Sequence, residues 1–363
     1  MSRFAKGQDI RVGLVGVGYW GSKLARNIYD VRGSSLAAIC DELPGRMESF
    51  VERYQGSRGV STIEELVASP DIDAVVLATP AAKHAEHAQL ALEHGKHVLV
   101  EKPLALSARE CDALCALASS RNLTLMVGHT FVYSEPVRML RGLLQSGELG
   151  DILYIYGQRV NLGVIREDLN ALWNFAPHDI SILLYLLDET PVRVSARQFN
   201  LLNRSLEDVA FIVLEFPSGV VGHIHDSWLD PRKVRQFTVV GSSKMAVYDD
   251  TEVEMPILIY DKGVVPTADT GEAIDFADLR RDEGYGDFKL ELRAGDVRAP
   301  RVPSREPLRV EIEHFIECVR EGQRPMTDGA HGRRVVSVLE AAHRSANEGG
   351  RSVEVELESP VAG

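Results

Sequence analysis

The chain is poor in cysteine: four in 363 residues, at positions 40, 111, 115 and 318. No two form a CxxC pair, and only Cys318 has a histidine close by, His314. That spacing excludes zinc-ribbon and thioredoxin-type chemistry and reads as buried thiols in a reducing compartment, with neither metal nor disulfide. Long apolar runs are missing too. No stretch approaches the roughly 20 residues of a membrane-spanning helix, and MSRFAKGQDIRVGL at the N-terminus lacks the apolar core of a signal peptide. The expectation is a cytoplasmic protein without membrane contact. Positive charge is in deficit, 40 Lys and Arg against 53 Asp and Glu, for a net charge of -13. Such a chain repels a nucleic-acid backbone and an anionic membrane surface, so any anionic ligand must be held by local geometry.

What the chain does have is apolar residues, 45% of the total, with 26% charged, enough to fill two cores. Short apolar strands over Ile10 to Val15, Leu36 to Cys40, Ala74 to Ala78, His97 to Val100 and Leu123 to Val127 alternate with amphipathic helices over Trp20 to Asp30, Pro44 to Tyr54, Ala81 to His94 and Ser107 to Ser120. Parallel strands need crossover helices that bury both faces, and near-continuous apolar strands fit that burial. Residues 1–130 therefore read as a doubly wound parallel sheet.

After about residue 150 the texture changes. Strands over Asp151 to Val160, Val192 to Asn200, Val209 to Phe216, Val220 to Leu229, Gln236 to Val240 and Lys244 to Tyr248 follow one another through short turns, with one helix near His178 to Leu187. Hairpin-length links predict a large, mainly antiparallel sheet in an α+β domain spanning 131–363. Residues 261–305, rich in Asp, Gly, Arg and Pro, read as a long excursion from it. Helices over 307–322 and 331–347 are expected to pack back towards the first domain, and Ser352 to Leu357 to add an edge strand.

The first strand runs into VGVGYWG, where Gly16, Gly18 and Gly21 spell GxGxxG between a strand and a helix. The first glycine permits the tight turn, the second admits a diphosphate to the backbone and the third lets helix meet strand. Val17, Tyr19 and Trp20 complete that cradle, and Asp41 after the next strand is placed to accept from an adenosine ribose. Asp41 favours NAD(H) over NADP(H), while Arg46 nearby could instead meet a 2'-phosphate. Thr79-Pro80, Glu101-Lys102 and His129 follow three further strands at their carboxyl ends, where open sheets place ligands, and converge on the reactive end of the cofactor.

With GxGxxG, TPAAKHAEHA and EKPLAL, the chain resembles the glucose-fructose oxidoreductase and inositol dehydrogenase family, Gfo/Idh/MocA, over nearly its whole length. The resemblance implies an N-terminal Rossmann domain, NAD(H), and a second-domain sheet through which dimers or tetramers form. It also implies that Lys102 exchanges a proton with the hydroxyl being oxidised, that His178 in NFAPHDIS matches the family's catalytic histidine, and that His84 lies near the nicotinamide. Asn174 stands where many members carry aspartate. Asp179 either supplies the missing carboxylate or caps the helix. His223 and His225 share a strand face and read as subunit packing rather than metal ligands. Helix and strand segments such as ALWNFAPHDIS and SWLDPRKVRQFTVVGS look most like members acting on nucleotide-linked amino sugars, notably UDP-N-acetylglucosamine 3-dehydrogenases. Arg159 and Arg166 are then candidates for holding the nucleotide diphosphate, with His129, Asn174 and His178 beside the sugar.

The leading expectation is an NAD-dependent dehydrogenase of a secondary sugar hydroxyl, C3 of a nucleotide sugar. Alternatives are a dehydrogenase of a free sugar or inositol, an enzyme that uses NAD without net oxidation, and a non-catalytic NAD(H)-binding regulator. Net NADH accumulation separates the dehydrogenases from the other two.

Overall fold

The computed structural model describes residues 8–163, 168–202, 205–267 and 289–356. The chain falls into two compact units, one of Met1–Ser134, Arg305–Glu340 and Glu356–Gly363, the other of Glu135–Ser304 and Ala341–Val355.

In the first unit, β1 (Ile10–Val15), β2 (Ser34–Cys40), β3 (Arg58–Val60), β4 (Ala74–Leu77), β5 (His97–Glu101) and β6 (Leu125–Gly128) form a parallel sheet in the order β3-β2-β1-β4-β5-β6. Every residue of β4 and β6 is buried, as a sheet covered on both faces requires. The covering helices are α1 (Tyr19–Asp30), α2 (Pro44–Arg53), α3 (Ile63–Ala68), α4 (His84–Glu93) and α5 (Ala108–Ser120). Two begin on side-chain caps, Thr62 accepting from Glu65 N at 3.3 Å and Ser107 from Glu110 N at 3.2 Å. Sequence patterning had not separated β3 and α3 from the loops around them, because three- and six-residue elements are too short to display a period. The strand order reverses between β1 and β4, which opens a crevice at the carboxyl ends of these strands.

A late helix, α8 (Pro307–Glu321), also belongs to this unit. Its apolar stripe, Leu308, Ile312, Phe315, Ile316 and Val319, is buried, and it packs on α1 and β1. Thr327 then lies along β6, its Oγ1 donating to the Val127 carbonyl at 2.7 Å and its carbonyl accepting from Val127 N at 2.8 Å. The following helix, α9 (Gly329–Asn347), supplies residues to both units.

The second unit is built on β7 (Ile152–Val160), β8 (Arg193–Phe199), β9 (Val209–Glu215), β10 (Val221–Ser227), β11 (Val234–Gly241), β12 (Met245–Asp249), β13 (Ile257–Thr267), β14 (Lys289–Arg298) and β15 (Val353–Glu354). Among the described residues they form one sheet, ordered β14-β13-β12-β11-β7-β10-β9-β8-β15, in which β7 and β10 pair in parallel and the other neighbours antiparallel. The expected excursion over 261–305 is corrected here: β13 and β14 pair with each other and extend the sheet at its edge. Their alternation is weak because an edge hairpin with exposed residues needs no apolar face. The final strand is shorter than expected, and Leu357 lies outside the described residues.

One face of this sheet is covered by α6 (Glu135–Gln145), a helix absent from the sequence reading, and α7 (Ala171–Leu187). Ile155, Gly157 and Arg159 of β7, Ile224 and Asp226 of β10 and Phe237 of β11 are buried beneath them. The other face exposes Tyr154, Tyr156, Phe211, Val213 and Val221. The helix expected from His178 begins seven residues earlier, at Ala171, with Asn170 Oδ1 accepting from Trp173 N at 3.0 Å as its cap. Pro177 sits inside it, and that proline is what disguised its first half. Asp179 is therefore mid-helix, and the capping alternative for it is wrong.

Candidate cofactor and catalytic residues

β1 leads into Gly16 at φ +88°, a conformation that disfavours any side chain, and a Cβ there would stand 2.7 Å from the Ala78 carbonyl oxygen. A Cβ on Gly21 would overlap the Gly16 carbonyl. Gly18 is the N-cap of α1 and donates no side-chain cap, and the first turn carries no acidic residue. Around Gly18 the space is open, its nearest neighbour in the Cβ direction being Arg46 Nη1 at 4.0 Å. The first-turn N–H groups and the positive helix end are thus left for an anion, which fits a dinucleotide diphosphate.

Asp41, just past β2, ties into this turn. Its Oδ2 accepts from Val17 N at 2.8 Å and its Oδ1 from Leu43 N at 3.0 Å, while Arg46 Nη1 lies 3.6 Å from Oδ2. Each carboxylate oxygen keeps a second lone pair for a ribose hydroxyl. The turn after β4 holds Thr79 and the exposed Pro80. Thr79 Oγ1 is 3.3 Å from His87 Nδ1, and the buried His84 bridges two turns, with Nε2 2.8 Å from the Thr79 carbonyl and Nδ1 2.6 Å from that of Pro103. Burial lowers the pKa of His84 despite both carbonyls.

Glu101 ends β5 and Lys102 follows it, and the Lys102–Pro103 peptide is cis. Burial pushes the Glu101 carboxyl up to about 7, with the Lys102 ammonium and Trp20 indole pulling the other way. Glu311 on α8, fully buried, accepts from Thr130 Oγ1 at 2.8 Å and is driven well above the usual carboxylate range by burial and by Glu101. His129, after β6, is only 1% exposed and meets the His331 ring edge-on at 5.3 Å between centroids. Burial, His331 and Lys102 hold it well below the ordinary histidine range, and His331 itself is pushed down to about 4. Glu311 and His331 escaped the sequence reading, because only the return of the chain after residue 305 brings them to β6.

In the second unit, Asn174 and His178 are one turn apart on α7 and half-buried. Asp179 is fully buried and binds Arg159 twice through Oδ1, from Nε at 2.9 Å and Nη2 at 2.6 Å. The Arg159 guanidinium, expected at a diphosphate, is thus engaged by Asp179 and only 4% exposed. Arg166 lies outside the described residues. Across the sheet, Arg159 pairs in register with Asp226 on one side and Arg235 on the other. On the opposite face His225 stacks on Phe211 at 4.5 Å. Among the described residues no helix is long and apolar enough to cross a membrane, and no three His, Cys, Asp or Glu side chains are grouped to hold a metal.

Comparison with known proteins gives a consistent family. Residues 10–129 match the Gfo/Idh/MocA oxidoreductase family with its NAD-binding Rossmann fold, and residues 137–247 match the family's C-terminal domain. The UDP-N-acetylglucosamine 3-dehydrogenase of Acidithiobacillus ferrooxidans is 26% identical over 331 residues, 90% of this chain and 94% of that protein. The inositol 2-dehydrogenase of Salmonella typhimurium is 28% identical over 219 residues, covering 58% of this chain and 65% of the enzyme. For the first curated relatives the match spans just under 60% of their length. Among solved structures, GenD2 from gentamicin A biosynthesis, in complex with NAD, superposes with a TM-score of 0.78 at 23% identity, over 96% of this chain and 97% of that one. The chain belongs to the Gfo/Idh/MocA family of oxidoreductases, and its first unit is that family's NAD-binding Rossmann fold.

Proposed function

We propose that the protein oxidises a secondary hydroxyl of a sugar with NAD, and that the sugar is a nucleotide-linked amino sugar such as UDP-N-acetylglucosamine, oxidised at C3. One observation supports the substrate: the sequence alignment with the Acidithiobacillus UDP-N-acetylglucosamine 3-dehydrogenase covers 90% of the chain, whereas that with inositol 2-dehydrogenase covers 58%. In such a sugar the anomeric carbon is locked by the diphosphate, so the carbon that loses hydride must be another secondary carbinol.

Bound NAD supplies the hydride acceptor. The α1 N-terminus holds the diphosphate and Asp41 the adenosine ribose. As the neutral amine, Lys102 Nζ takes the hydroxyl proton and becomes the ammonium, and the Glu101 carboxyl beside it adjusts how firmly that proton is held. His178 and Asn174, presented from one face of α7, hydrogen-bond the sugar hydroxyls, the amide of Asn174 standing in for a carboxylate. The exposed apolar face of the second sheet, around Tyr154, Phe211, Val213 and Val221, joins copies of the chain as a cytoplasmic homodimer or homotetramer.

UDP-N-acetylglucosamine deuterated at C3 tests the reading. Deuterated NADH is the expected product, with a primary isotope effect where chemistry limits the rate. Label arriving from C2 or C4, or turnover of a free polyol with no nucleotide sugar oxidised, overturns the substrate while leaving the dehydrogenase intact.

A further inference from the structure

The helix that carries Asn174 and His178 has a weak point at Pro177, which removes a backbone donor immediately before His178. One bond of the helical ladder is therefore missing from this turn. The residue after His178 ties it to the sheet as well: Asp179 takes two bonds from Arg159 on β7. Beside Arg159, in register on β10, stands Asp226, whose side chain has no solvent exposure. No N–H or O–H group among the described residues donates to either oxygen of Asp226, nor to Oδ2 of Asp179. The two carboxyl groups flank one guanidinium, Asp179 through its bonds to Arg159 and Asp226 through strand register, and each acts on the other's charge.

Two ionised carboxylates cannot sit in contact there. Their mutual repulsion adds to the loss of hydration, and a single proton turns that repulsion into a charge-assisted O–H···O bond. Position decides which carboxyl holds the proton. Asp179 has the Arg159 guanidinium on Oδ1 and so remains the anion, whereas Asp226 has no donor and so becomes the acid. The other charged groups around the pair, Arg159, Arg235 and Asp250, sum to one positive charge, which a singly ionised pair neutralises. Arg235 on β11, in register with Arg159, lies 3.3 Å from Asp250 and also favours the anion of Asp179, so that two guanidinium groups face the three carboxyl groups of Asp179, Asp226 and Asp250. Burial and the neighbouring Asp179 push the Asp226 carboxyl well above its ordinary range, while the Arg159 charge only partly opposes them.

We propose that Asp226 is a buried carboxylic acid that donates its proton to the Arg159-bound carboxylate of Asp179, and that this acid pair fixes the turn of α7 presenting Asn174 and His178. Asp226 and Asp179 are positioning residues. Their effect on turnover rests on the dehydrogenase reading above, but their protonation and their hold on His178 do not.

Three measurements on the full-length protein separate these levels. Asp226→Asn keeps a donor without a titrating proton. In infrared spectra at neutral pH a protonated-carboxyl band is expected in the wild type and lost in this variant. The folded pKa of Asp226 lies above its unfolded value of about 3.9. Its contribution to stability is therefore full below that value and is lost as pH rises towards the folded pKa. Because asparagine does not titrate, Asp226→Asn should gain in Tm over the wild type, by more at pH 9 than at pH 5. An ionised, ion-paired Asp226 gives the opposite sign, a lower Tm for the variant at neutral pH, and together with an unchanged infrared spectrum that overturns the assignment.

The positioning claim is read on His178, by NMR titration of selectively labelled histidine. Asp226→Leu, which removes the donor, should shift the His178 resonance and its titration, and Asp226→Asn should restore both. An unmoved His178 in Asp226→Leu refutes the positioning role. On activity, Asp226→Leu should lower kcat about tenfold or more, the scale of a lost buried hydrogen bond, with NAD(H) affinity unchanged, while Asp226→Asn recovers most of it. Should the wild type oxidise no sugar, the dehydrogenase reading fails while the infrared, Tm and NMR outcomes still decide the acid pair.

Discussion

Replacing Asp41 by alanine probes the cofactor site at the residue that links strand, glycine turn and ribose. The carboxylate accepts from Val17 N at 2.8 Å and from Leu43 N at 3.0 Å. Hydrogen bonds to a charged acceptor contribute about 1.5 to 3 kcal/mol each, more where the orphaned donor has no access to water. Val17 is 2% exposed, so its N–H cannot turn to solvent, and the unliganded Asp41→Ala protein should lose about 2 to 3 kcal/mol. For the cofactor, losing the ribose acceptor should weaken NADH binding by about 10- to 100-fold, the same 1.5 to 3 kcal/mol expressed as a ratio of Kd values. NADPH should respond oppositely. The wild-type carboxylate repels a 2'-phosphate, whereas in the variant Arg46, 3.6 Å from the present carboxylate, is left to face it. The ratio of NADPH to NADH Kd should therefore fall at least about tenfold. Asp41→Asn should lie between, since its amide oxygen serves one N–H but its NH2 group meets the other. Fluorescence titration of NADH and NADPH at one ionic strength, with chemical denaturation of the free protein, supplies each quantity. The reasoning is refuted if wild type binds NADPH as tightly as NADH, or if Asp41→Ala leaves their ratio where it was.

Lys102→Met keeps the side-chain length without the ammonium, and turnover should drop about 100-fold or more with little change in NAD(H) affinity; a near-normal kcat would require another base. His178→Asn should also slow turnover without weakening NAD(H) binding, checked by the same titration. Glu101 has a folded pKa of about 7 against an ordinary 4.5, so its stabilising contribution is full below pH 4.5 and lost as pH rises through 7. Glu101→Gln should flatten the stability profile over that window by no more than about 3.4 kcal/mol, and an unchanged slope in denaturant titrations across it would contradict the shift. Light scattering at micromolar concentration should find a dimer or tetramer that Val213→Glu weakens, whereas a wild-type monomer would rule out association through the exposed sheet face.

Much of the first unit was legible in the residues. Alternating apolar strands and amphipathic helices announce a parallel sheet because burial on both faces is a local demand on each strand. Gly16 and Gly21 are readable for a similar reason, since the tight turn excludes a Cβ wherever the rest of the chain goes. Elements without a local period were not readable: the edge hairpin of β13 and β14, and the first half of α7, masked by Pro177. The site divides along the same line. Asp41 follows the glycine motif at a spacing that carries its chemistry, and Lys102, Asn174 and His178 lie in contiguous segments singled out by the resemblance to the family. Asp226, Arg159 and Arg235 come from β10, β7 and β11, and only strand register sets them side by side beneath Asp179. Read singly, Arg159 looked like an anion ligand and Asp179 like a cap or a substrate carboxylate. Tertiary structure made them a buried pair, because the energy of a buried charge depends on which neighbours the fold brings to it, and those neighbours are 20 to 76 residues away from Arg159 in the chain.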